Sequence, residues 1–212
     1  MTSAYSSQQL ELALQLGTST LFEASGLKNC ALDSQIRPVW AGAEVSGPAF
    51  PVACAPGDNL CIQLALEQAP EGSILVVTTD NFIAGYWGEV LSVAAKARNI
   101  KGLIIDGGVR DISALRKHQF PVFSRGISVR GTFKDTFISV GEPIEITGTP
   151  VSSCDLVIAD EDGVVILPAD KAETIMQKGV EREEKERVMM NQLMEGATTV
   201  ELMGLQAMRE KI

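Results

Sequence analysis

Two short stretches carry residue types that could do chemistry: GYWGEVL, from Gly85 to Leu91, and DGGVRD, from Asp106 to Asp111. In the first, Gly88 leaves room for the backbone to come close to a ligand. Val90 and Leu91 then fall in a first helical turn, where amides have no intrahelical acceptor and point at an anion. In the second, Arg110 offers a bidentate clamp for a carboxylate. Asp111 beside it offers oxygen to a hard divalent cation whose other positions are filled by water, as magnesium prefers. Such a cation and the arginine would together stabilise an enolate forming on a bound 2-oxo acid. The plainer reading of DGGVRD is a strand-to-helix turn, with glycines for the bend and Asp111 as the cap of the next helix.

Both stretches lie where apolar strands end, which is where a parallel sheet opens its ligand crevice, so they are expected to face each other. SILVVTT and KGLIIDG are continuous apolar runs of the kind covered on both faces. Between them WGEVLSVAAKARN puts Val90, Leu91, Ala94 and Ala97 on one helical stripe. Strand, helix and strand at this spacing predict a right-handed parallel crossover. Upstream, QQLELALQLGTSTLFEASG reads as two short helices broken near Gly17, with the TST triplet available as a cap. IRPVWAGAEVSGPAFPVAC reads as strands with turns, and NLCIQLALEQA as a helix that stops before Pro70. Downstream come a short helix from Ile112 to His118, a strand in PVFSRG, and two strands joined at the acidic turn Asp160 to Gly163. A long charged helix follows from about Asp170 to Glu195; its run EREEKER reads as a solvated face paired three and four apart. No linker or internal repeat divides the 212 residues, and one domain is expected over 1–212.

Composition narrows the function classes. A net charge of -9 leaves no broad basic surface for phosphates, so nucleic acid is not an expected partner. No apolar run approaches the roughly 20 residues of a membrane-spanning helix. The four cysteines lack C-x-x-C spacing and the N-terminal residues lack the pattern of an export signal, which together predict reduced, mostly packing thiols in a cytoplasm-like compartment. The single histidine, His118, is expected at a helix end in a surface or capping role, so His-rich zinc sites and a Ser-His-Asp triad are poorly supplied. The glycines match neither a phosphate loop nor a dinucleotide fingerprint, and none suits a methyl-donor nucleotide. Trp40 and Trp87 are expected to be packing residues.

GYWGEVLSVAAKARNIKGLIIDGGVRD, followed by FPVFSRG and CDLVIADEDGVVILP, resembles the RraA-like family, which contains 4-hydroxy-4-methyl-2-oxoglutarate aldolase (also 4-carboxy-4-hydroxy-2-oxoadipate aldolase) and the regulator of ribonuclease E activity. The similarity runs from about residue 8 to residue 205, and its most specific part is an acidic residue, twenty intervening positions and Arg-Asp, here Glu89, Arg110 and Asp111. The resemblance implies a three-layer α/β/α sandwich of the swivelling, phosphohistidine-domain type around a largely parallel sheet. It also implies a trimer or dimer of trimers with sites between subunits, the helix of about 170–195 packing on a neighbour. It implies a class II pyruvate aldolase using magnesium or manganese, which splits 4-hydroxy-2-oxo diacids and decarboxylates oxaloacetate. In that scheme Arg110 meets the pyruvate oxygens, Asp111 anchors the metal, and the Val90 and Leu91 amides beside Gly88 bind the carboxylate. Glu89 takes the family's acidic position, and Glu186, with Glu183 and Glu184 close by, orients a catalytic water in the neighbouring subunit. Glu23 matches a family carboxylate near the metal. The family usually has aspartate where this chain has Glu89, and the extra methylene changes the reach of that carboxylate. The competing expectation is a non-catalytic regulator that binds a ribonuclease or another protein; Asp111 separates the two, because a binding protein needs no divalent ion.

Overall fold

The computed structural model describes residues 4–209. In chain order its elements are α1 (Ser7–Ser25), β1 (Arg37–Pro38), β2 (Val45–Ala53), α2 (Leu60–Gln68), β3 (Ile74–Thr78), β4 (Gly85–Trp87), α3 (Glu89–Ala97), β5 (Gly102–Val109), α4 (Ile112–His118), β6 (Val122–Ile127), β7 (Ser139–Val140), β8 (Ile144–Ile146), β9 (Thr149–Val151), β10 (Leu156–Asp160), β11 (Gly163–Leu167), α5 (Ala172–Met194), α6 (Thr199–Leu202) and α7 (Gln206–Arg209).

The main sheet runs in the order β1, β6, β5, β3, β2, β10, β11. Its middle strands β6, β5, β3 and β2 are parallel, as the buried runs require, while β1, β10 and β11 pair antiparallel at the two ends. The ends approach each other: the Arg37 guanidinium on β1 donates to the backbone oxygen of Asp162 in the β10–β11 turn at 2.8 Å. Residue alternation then decides what each face does. Inward-pointing Ile74, Val76, Ile104, Phe123, Val157 and Ile166 pack on one another and on Ile146 and Val151 of the β8–β9 hairpin. Outward-pointing Leu75, Val77, Leu103 and Ile105 bury against α2, α3 and α4. Leu156, Ile158, Val165 and Leu167 do the same against α1 and α5. Cut across the curl, helices cover both outer sides of a nearly closed, largely parallel sheet.

Local chemistry explains the breaks. Gly17 adopts φ 73° and interrupts α1 at the expected place. The following half-helix is capped from afar, because Asp160 accepts from the Thr18 amide at 2.8 Å and the Thr18 hydroxyl at 2.7 Å. Trp87 stacks on Phe120 with centroids 5.7 Å apart, and Trp40 donates to the Phe120 carbonyl at 3.0 Å, so both tryptophans are packing residues. One expectation fails here. GLIID does not end at its glycines; β5 continues through Gly107 and Gly108 to Val109, all of it buried.

Candidate functional site

The site begins with the buried carboxylate that opens DGGVRD, for which the sequence suggests no role. Asp106, in the middle of β5, accepts from the Thr78 hydroxyl at 2.8 Å, the Thr79 amide at 2.6 Å and the Thr79 hydroxyl at 2.8 Å. These bonds pull the chain leaving β3 down onto β5. Gly107 and Gly108 make that possible: an added Cβ would stand 2.8 Å from the Thr79 hydroxyl oxygen and 2.6 Å from the Ala84 carbonyl oxygen. The two glycines therefore admit protein backbone, and they are not the bend before α4. Their consequence is β4, which continues the sheet beyond β3 by pairing Gly85 with Gly108 and Trp87 with Val109.

Because β4 is held there, α3 starts beside the end of β5. Gly88 is its N-cap, and Val90 and Leu91 lie in the first turn with no helical acceptor for their amides. Asp111 sits at the N-cap of α4 with φ 59°, and its side chain makes no capping bond. Instead Asp111 Oδ2 turns back and accepts from the Glu89 amide at 3.1 Å, with Arg110 Nε 3.9 Å away. The glycine at 88 is required by this arrangement, since its Cβ would collide with the Asp111 carboxylate and lie 3.2 Å from Arg110 Cγ. Its backbone is extended, so the requirement is space and not conformation.

Gly88, Val90, Leu91, Arg110 and Asp111 all line one cleft of about 370 Å³. The expected set therefore comes together, except for Glu89, whose carboxylate turns away to His118, Oε1 to Nε2 3.0 Å. Glu23 and Glu186 are brought together elsewhere: the Arg182 guanidinium contacts both, on the α1–α5 surface, and neither lines this cleft. Glu184 pairs with Arg187 at 2.6 Å.

The remaining wall was not foreseen. It consists of Asn59 and Gln63 from α2, and of Thr132 and Lys134 from the strap joining β6 to β7. Asp58 holds that strap down, accepting from the amides of Asp135 at 2.7 Å and Thr136 at 2.9 Å as well as Leu60 at 2.8 Å. Burial alone would raise the Asp58 carboxyl, but the three amides and the nearby Lys134 outweigh it and hold it below the usual carboxylate range. Strap and helix meet over a separation of more than 70 residues, with no local pattern to announce it.

The cleft thus sets two cationic side chains and free helix amides around one half-exposed carboxylate. Among the described residues no three His, Cys, Asp or Glu side chains gather to hold a metal. A cation here would rest on Asp111, whose one hydrogen bond leaves lone pairs available, with ligand oxygens and water completing its shell; a magnesium-like ion accepts such a donor set.

A mixed α/β fold with a nearly closed, largely parallel sheet, and a cleft at its strand ends lined by Arg110, Asp111 and Lys134, is the class defined by these features. The family model described as RraA-like, Aldolase/RraA, matches residues 18–166, and the chain belongs to that family. A Halalkalibacterium halodurans protein provisionally named 4-hydroxy-4-methyl-2-oxoglutarate aldolase is 31% identical over 188 residues, covering 88% of this chain and 86% of that protein. The crystal structure of an uncharacterized protein from Pseudomonas syringae pv. tomato str. DC3000 matches with a TM-score of 0.82 at 27% identity, covering 92% of each chain. Streptomyces coelicolor RraAS2, described as an unusual member of the RNase ES inhibitor RraA family, matches in fold with a TM-score of 0.79 at 22% identity, covering 88% of this chain and 98% of that one. The family thus spans aldolases and ribonuclease inhibitors.

Proposed function

We propose that this protein is a divalent-metal-dependent pyruvate lyase that splits 4-hydroxy-2-oxo diacids by retro-aldol cleavage and decarboxylates oxaloacetate. The carrying observation is that Arg110, Asp111 and the free amides of Val90 and Leu91 converge on one cleft. The amides and the positive end of α3 receive the substrate's 1-carboxylate. Arg110 donates to the 2-oxo oxygen and stabilises the enolate as the C3–C4 bond breaks. Magnesium or manganese on Asp111 would supply Lewis-acid polarisation of the same oxygen. Lys134 adds a second cation to the cleft, suited to a diacid.

The reading includes assembly. Val129, Phe133 and Phe137 on the strap beside the cleft are exposed, and so are Val188, Met190 and Met194 on the second half of α5. Covering both in a trimer or dimer of trimers would bury apolar surface of the kind that marks interfaces. It would also let Glu186 of one copy orient the water that takes the 4-hydroxyl proton in the next.

The test is pyruvate release from oxaloacetate and from 4-hydroxy-4-methyl-2-oxoglutarate with magnesium, with manganese and with a chelator. Chelator-sensitive release above the metal-only background is the expected result. No release from either substrate refutes the lyase and leaves a protein-binding regulator as the reading to pursue.

A further inference from the structure

Glu89 contributes its amide to Asp111 but its carboxylate to another element. Oε1 lies 3.0 Å from Nε2 of His118, at the end of α4, and the Glu89 side chain takes no part in the cleft. The frame around this pair is fixed independently of both side chains, because Lys96 on α3 donates through Nζ to the backbone oxygen of His118 at 2.9 Å. Reach decides the contact: a side chain one methylene shorter at position 89 would fall short of the imidazole.

We infer that His118 is a positioning residue that withdraws Glu89 from the cation held by Asp111, so that the cation binds through one protein carboxylate and keeps positions for substrate oxygens. This rests on the metal reading of Asp111. Glu89 starts within hydrogen-bond distance of Asp111 through its own amide, 3.1 Å, so its carboxylate can turn toward the same ion when released. A second carboxylate tightens a hard-cation site by charge and by coordination. The gain on release is capped by the latch itself, since the apparent affinity rises only by the fraction of Glu89 that His118 had removed from competition. The pair is partly exposed, with side-chain exposures of 29% for His118 and 53% for Glu89, so the gain is about two- to fivefold.

Manganese binding, measured by calorimetry on the full chain without substrate, tests this. His118→Ala is expected to tighten manganese binding by about two- to fivefold. His118→Gln, which retains an N–H donor for Glu89, is expected to match the parent, and His118→Ala combined with Glu89→Gln to lose the gain. Unchanged or weaker binding in His118→Ala overturns the inference, as does a gain that persists in the double variant. Absence of manganese binding in the parent and in His118→Ala alike overturns the metal reading of Asp111, and the inference with it.

Discussion

Gly88→Ala isolates the geometry of the cleft from its chemistry, because it removes no functional group. The backbone at 88 is extended, with φ -165°, so alanine adopts it without strain. The new Cβ is the whole perturbation. It would clash with Asp111 Oδ2 and stand 3.2 Å from both Asp111 Cγ and Arg110 Cγ, where ordinary contacts begin at 3.4 Å. Arg110 can give by the few tenths required, but the carboxylate must retreat by about 1 Å, losing the Glu89 amide as it goes. A displacement of that size in a group that fixes a reacting centre costs on the order of 10²-fold in rate. Stability should change little, since one half-exposed hydrogen bond contributes about 1 kcal/mol, or roughly 2–4 °C in a chain of this size. The assay is pyruvate release with magnesium, paired with a thermal melt. Activity within threefold of the parent in a variant that melts normally would refute the claim that Asp111 must occupy its observed position.

Three further outcomes follow from individual side chains. Asp111→Asn keeps a residue that tolerates φ 59° and still accepts from Glu89, so it should melt like the parent while losing about 10²-fold or more of its metal-dependent turnover; full activity would remove Asp111 from the mechanism. Asp58 has a folded-state pKa below the ordinary value, so its contribution to stability is complete above about pH 4 and is lost as pH falls through the folded value. Asp58→Asn should therefore be less stable by about 1–3 kcal/mol near neutrality, with the gap to the parent narrowing in acid melts; an equal gap at both pH values would contradict this. Of the four cysteines only Cys154 is exposed, and burial, followed by the neighbouring Cys61, pushes the Cys54 thiol well above its ordinary value. A thiol reagent should thus label one group rapidly in the native protein and the others only after unfolding; two fast thiols would show the packing to be looser than described.

The elements were largely legible because their signals are local. The branched apolar runs of β3 and β5, the stop before Pro70 and the break at Gly17 each depend on residues within a few positions of one another. The acidic turn joining β10 to β11 was equally clear. What escaped depends on distant partners. β4 is only Gly85–Trp87, too short to show a period, and it exists because Asp106 and two glycines on another strand receive the preceding chain. The β8–β9 hairpin was hidden for a related reason: it plugs the curl of a sheet whose closure depends on Arg37 meeting the β10–β11 turn.

The same division runs through the site. Arg110 and Asp111 were legible because adjacent residues at a strand end share a location whatever the rest of the chain does. The direction of each side chain was not. Asp111 was a possible cap, and what keeps it from capping α4 is the empty position at Gly88, twenty-three residues earlier, together with the Glu89 amide. Glu89 carries the acidic type the family pattern asks for, yet its carboxylate goes to a histidine that the sequence places only at a helix end. Residue type and spacing therefore specify which groups can meet at this cleft. Which of them face into it is decided by contacts between α3 and α4, where the Glu89 carboxylate meets His118 instead of the cleft.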